Sequence, residues 1–175
     1  MEIAHLIESL SKPEAYPYPV ETVEVRQTHL SVVFLAGSHV YKVKKPVRFD
    51  FVDFGTLEKR LYYCNEDVLL NRRLAPHVYV GTVPVVKGEK GLHFEGQGEV
   101  FDWAVKMQRL PDDATLLARV QRGEVSSSLI ETLATRIARF HRHTNTSEQI
   151  ALSASYEAVA DCIHDVLQRS EPQVG

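Results

Sequence analysis

The chain has 175 residues, with 20 Lys and Arg against 23 Asp and Glu, a formal net charge of −3, and 44% hydrophobic residues. That is the composition of a globular protein long enough to bury a core without disulfide or metal staples, and its acidic balance argues against nucleic acid as a partner. No run reaches the length of a membrane span. The first ten residues hold Glu2 and Glu8 but no Lys or Arg, which does not suit a secretory leader. Cys64 and Cys162 lie far apart within helical patterns and are expected to be reduced, buried thiols, so the expected compartment is the cytoplasm.

In chain order, the first ten residues predict a helix with Ile3, Leu6, Ile7 and Leu10 on one face. Pro13, Pro17 and Pro19 then predict an extended arm. Three strands follow, "VETVEVRQ", "HLSVVFLAG" and "HVYKVKKPV", the last two joined at Gly37 by a hairpin turn. A Phe- and Asp-rich loop leads to Thr56, a predicted N-cap. The helix from Leu57 should turn Leu57, Leu61, Cys64, Val68 and Leu69 inward. Residues 77–110 read as strands with Gly-rich turns. Beyond Pro111 only helices are expected, one of them opened by a capping box of Ser128 and Glu131. The predicted class is α+β. Two lobes should meet near Leu110, with residues 1–110 a strand-rich lobe carrying the N-terminal helix and arm, and 111–175 helical.

The chemistry concentrates in "HVYKVKKPVRFDFVDFG", residues 39–55, where Lys42, Lys44, Lys45 and Arg48 cluster. Alternation puts Lys42 and Lys44 on one face of the strand. A lysine among apolar neighbours in a sheet needs an anionic partner or must reach solvent. The following helix offers Glu66 and Asp67. A strand lysine held by a helix acid is an arrangement that grips nucleotide phosphates.

The stretches "THLSVVFLAGSHVYKVKKPVRFDFVDFGTLEKR", "LLNRRLAP", "WAVKMQRLPDD" and "LATRIARFHR" occur in one order over most of residues 20–143. In this they resemble the N-terminal portion of the aminoglycoside phosphotransferase-like family, which has a protein-kinase-like fold. The resemblance implies an antiparallel N-lobe sheet with one packed helix and a partial helical C-lobe. It implies ATP as cofactor, with Lys42 or Lys44 as the phosphate lysine and Glu66 as its helix partner. Met107, Gln108, Arg109 and Leu110 would form a hinge whose backbone meets adenine, and Thr28 and Ser31 would stand near the phosphates.

Two departures bear on activity. The first strand turn, "RQTHLS", lacks the glycine-rich phosphate cover. No H-G-D loop occurs, so no catalytic base and no Mg²⁺ ligand can be named. Magnesium would require a C-lobe supplied from elsewhere. The letters D-F-G at Asp53–Gly55 precede the helix instead of following a catalytic loop; they are expected to be structural, with Phe51 and Phe54 packing. His141 and His143 lie at a helix end and point to different faces, so they are read as surface residues, not metal ligands.

The expected function is therefore the N-terminal part of an ATP-dependent small-molecule phosphotransferase, inactive as this chain stands. The alternative is a non-catalytic nucleotide-binding or protein-interaction module. Its partner would be a missing C-lobe chain or a second copy, because an incomplete lobe exposes apolar surface.

Overall fold

The computed structural model describes residues 3–89 and 91–170. The chain divides into two compact units, Met1–Val125 and Ser126–Gly175. The change from strands to helices at Leu110 and the division between units are thus different points along the chain.

The first unit opens with helix α1 (Ile3–Leu10), whose Leu6 and Leu10 are fully buried. The proline arm is not wholly extended: Pro13–Ala15 form a 3₁₀ turn, and the Tyr16 hydroxyl donates to the Leu10 carbonyl at 2.7 Å. Three strands follow, β1 (Val23–Gln27), β2 (Ser31–Ala36) and β3 (His39–Lys44). The β2–β3 turn is Gly37–Ser38. Gly37 has φ +55°, a conformation that suits glycine because a Cβ would be strained there.

The Phe- and Asp-rich segment is not a plain loop. It forms a small hairpin, β4 (Arg48–Phe49) and β5 (Val52–Asp53), and Phe51, expected to pack, is 79% exposed at its tip. Phe54 does pack, at 5% exposure. Helix α2 (Leu57–Arg72) then starts at Thr56, whose hydroxyl accepts from the Lys59 amide at 3.2 Å. The remaining strands are β6 (Tyr79–Gly88), β7 (Gly91–Phe94) and β8 (Glu99–Gln108).

The sheet is antiparallel throughout, in the order β1-β2-β3-β8-β6-β7. The class is α+β, as the sequence predicts. Strand alternation gives the sheet two faces. One carries Phe34, Tyr41, Val43, Val85, Phe94 and Ala104 and packs on α1 and Tyr16. The other receives α2 through Cys64 and Val68, which meet Val105 and half-buried Tyr79, Trp103 and Met107. The buried stripe of α2 is Arg60, Cys64 and Val68: Cys64 and Val68 turn inward as predicted, Leu57 and Leu61 are only half-buried, and Leu69 is exposed. A charged residue occupies the position the apolar pattern assigned to a leucine.

The first unit ends with a 3₁₀ turn (Asp112–Ala114) and helix α3 (Leu116–Gln121). The second unit contains α4 (Ser127–Arg142), α5 (Glu148–Ser153) and α6 (Tyr156–Ser170). The α4 cap is Ser126, which accepts from the Leu129 amide, and not Ser128, which lies inside the helix. Cys162 on α6 is exposed, contrary to expectation. No described helix is long and apolar enough to cross a membrane.

Candidate functional site

Pairing across the sheet sets the site. Lys42 stands opposite Val33 of β2 and Val105 of β8, and Lys44 stands opposite Ser31. Both lysines therefore share the face that α2 covers. Three turns into α2, Asp67 comes over them. Its Oδ2 lies 2.6 Å from Lys44 Nζ and 3.0 Å from Lys42 Nζ. Lys44 is nearly enclosed, its side chain 6% exposed, and its ammonium sits 4.9 Å from the centre of the Phe54 ring. Lys42, at 27%, is the one open to solvent.

Burial works to raise the Asp67 carboxyl, but the hydrogen bonds and charges of Lys44 and Lys42 outweigh it and hold its pKa below the ordinary value. One carboxylate thus serves two ammonium groups. The site borders a cavity of about 400 Å³ whose walls include Ser31, Lys42, Lys44, Phe54, Glu66 and Asp67.

The structure corrects the expected pairing. The acid that holds the lysines is Asp67. Glu66 lines the same cavity, half-buried, and makes no ion pair with either lysine among the described residues. Ser31 reaches the cavity, but the Thr28 hydroxyl is engaged in the β1–β2 turn, accepting from the Ser31 amide at 3.0 Å. The D-F-G letters are structural: Asp53 accepts from the Gly55 amide at 2.8 Å and pairs with Lys59 at 2.5 Å.

Next to the lysines the same face carries an apolar strip. Leu35, Val40 and Met107 stand opposite one another across β2, β3 and β8, one row from Val33, Lys42 and Val105. The strip runs to residues 107–110. There the Gln108 amide donates to the Val78 carbonyl and the Arg109 amide to the Ser38 carbonyl, each at 2.8 Å. The Arg109 guanidinium lies between Glu24, at 3.6 Å, and Asp112, at 3.8 Å. The Leu110 amide has no partner among the described residues, and its side chain is 58% exposed. Of the four residues expected to form a hinge, Leu110 therefore offers the open backbone donor.

A buried ion pair lies outside the residues that the sequence singles out. Asp102 of β8 is fully buried and accepts from Arg60 Nε at 2.8 Å. Two signals pointed to it: an acid within the otherwise apolar "VFDWAV", and an arginine four residues before Cys64 on one helical stripe.

Three curated relatives share sequence with this chain. They include the uncharacterized protein Mb2027c of Mycobacterium bovis and the uncharacterized protein Rv2004c of Mycobacterium tuberculosis. Each is 34% identical over 155 residues, a stretch that is 88% of this chain and 30% of the relative. The chain thus spans under a third of the length of the relatives it matches. No family model matches the chain, and no solved structure matches it.

Proposed function

We propose that this chain is the nucleotide-binding part of a kinase-like phosphotransferase of the aminoglycoside phosphotransferase-like type, and that it holds ATP on the sheet face shared with α2. The observation that carries the reading is the convergence of Lys42 and Lys44 on Asp67 beside an open cavity. A single carboxylate between two ammonium groups leaves one positive charge uncompensated within the trio, which favours an anionic ligand. Lys42 is the phosphate lysine in this reading, because it is the exposed one. Lys44 is the charge that keeps Asp67 turned inward.

The apolar strip of Leu35, Val40 and Met107 suits a flat heteroaromatic base, and the Leu110 amide is a free donor at its end. An antiparallel sheet with one helix between its third strand and the strands that follow also supports the kinase-like reading. Among the described residues no three His, Cys, Asp or Glu side chains converge to hold a divalent cation. In this reading the chain's part is to bind and orient the nucleotide.

The test is equilibrium binding of a fluorescent ATP analogue to the wild-type chain and to Lys42→Ala. Displaceable binding, weakened at least about tenfold by the substitution, a change of about 1.4 kcal/mol, is the expected result. Wild-type protein that binds no nucleotide at millimolar concentration sinks the proposal.

A further inference from the structure

We infer that the buried pair Arg60–Asp102 is a positioning device for the lysine site, setting where α2 lies along the sheet and hence where Asp67 meets Lys42 and Lys44. The role of those lysines toward an anionic ligand rests on the function proposed above; the positioning itself does not.

Helix α2 has only two buried apolar side chains, Cys64 and Val68, and both are small. Their packing is largely non-directional; directional ties besides those of Arg60 include a long Cys64 Sγ contact to the Trp103 carbonyl at 3.9 Å and, at the exposed far end of the helix, Arg72 donating to the Tyr79 and Val80 carbonyls. The remaining buried residue, Arg60, makes directional contacts to two elements. Its Nε donates to Asp102 Oδ1 at 2.8 Å and its Nη1 to the Phe54 carbonyl at 3.1 Å. Asp102 Oδ1 also accepts from the Trp103 amide at 2.8 Å, so the carboxylate is itself fixed to β8.

The two arms of Arg60 reach both ends of the site. Through the Phe54 backbone it fixes the residue whose ring faces the Lys44 ammonium. Through α2 it fixes Asp67, two turns further on. The chain Asp102, Arg60, Phe54, Lys44, Asp67 is therefore continuous in hydrogen bonds, ion pairs and one cation–ring contact.

Stability alone does not account for the pair. Arg60 is 5% exposed and Asp102 fully buried, and Asp102 Oδ2 has no hydrogen-bond partner. Burial raises the Asp102 carboxyl, although Arg60 pulls it back. Enclosing two charges and leaving one oxygen unsatisfied carries a desolvation penalty that an apolar pair of similar size avoids. What the ion pair adds over an apolar pair is direction: a small translation of α2 breaks it.

The experiment compares wild type with the double variant Arg60→Met/Asp102→Leu, using a lysine-acylating reagent and mass spectrometry to read the rates at Lys42 and Lys44. Melting temperature is followed in parallel. The inference expects a double variant that melts no more than a few degrees below wild type but whose Lys44 is acylated at least about tenfold faster. A folded double variant with wild-type protection of Lys44 overturns it. Should that protein not fold, Asp102→Asn, which keeps the shape and removes the charge, is read by the same criterion. ATP is then added to wild type. Failure of ATP to shield Lys42 counts against the nucleotide reading alone, and leaves the positioning result standing.

Discussion

Lys44 Nζ lies 2.6 Å from Asp67 Oδ2, and this contact joins the middle of the sheet to the second half of α2. The lysine is 6% exposed while the aspartate is 24% exposed. The more deeply buried partner is the cation, so removing the acid leaves a charge that cannot reach water.

Asp67→Ala should therefore destabilise the chain by about 2–3 kcal/mol. Lys42→Ala should cost under about 1 kcal/mol, since its charge is already partly solvated. Adding Lys44→Met to Asp67→Ala removes the stranded ammonium and should recover more than half of the loss. Urea unfolding of the four proteins forms the check. A double variant no more stable than Asp67→Ala alone would mean that Lys44 is not the residue stranded.

The same carboxylate predicts a pH dependence. Its pKa is lowered in the folded protein, so the unfolded chain takes up its proton first as pH falls. The stabilisation is complete above the ordinary aspartate pKa of about 3.9 and disappears as pH drops through the lower folded value. The difference in melting temperature between wild type and Asp67→Asn should be constant from neutral pH to about pH 5 and should narrow below about pH 4. A difference that widens on acidification contradicts the ion pair.

Glu66 offers a sharper discrimination. The family resemblance makes it the partner of the phosphate lysine, in which case Glu66→Gln should weaken nucleotide binding. The geometry assigns the opposite sign. Glu66 lines the cavity without pairing to either lysine, so a polyphosphate bound as proposed would meet its negative charge. Glu66→Gln should tighten binding of the ATP analogue by about two- to fivefold at low salt, less at high salt.

The two cysteines should separate cleanly. Burial pushes the Cys64 thiol up to about 12, and it is fully enclosed. Cys162 is exposed. Iodoacetamide at pH 8 should modify Cys162 within minutes and leave Cys64 untouched until the protein unfolds. Equal labelling of both in native protein would show that α2 does not pack on Val105 as described.

Much of this protein follows from its sequence because the responsible forces are local. The α1 stripe, the β2 and β3 strands, the glycine turn at Gly37 and the Thr56 cap each rest on a few neighbouring residues, and side-chain period or backbone sterics determine them directly. The shared face of Lys42 and Lys44 is of the same kind, since it needs only strand alternation. Where local pattern misled, a neighbour from another segment intervened. Apolar periodicity favours Leu57 and Leu61 for the inward face of α2. Arg60 occupies it because Asp102, forty-two residues away, offers a buried counter-charge. The choice between Glu66 and Asp67 depends on a helix rotation of about 100° per residue, and that rotation is set by where Cys64 and Val68 meet Val105. Which amide of residues 107–110 stays open likewise depends on distant segments, since Val78 and Ser38 engage the Gln108 and Arg109 amides. The sequence alone determined the elements and the cationic strand. Only tertiary packing decided which acid completes the site, because buried charges and hydrogen-bonding groups are satisfied by whatever the fold brings within about 3 Å.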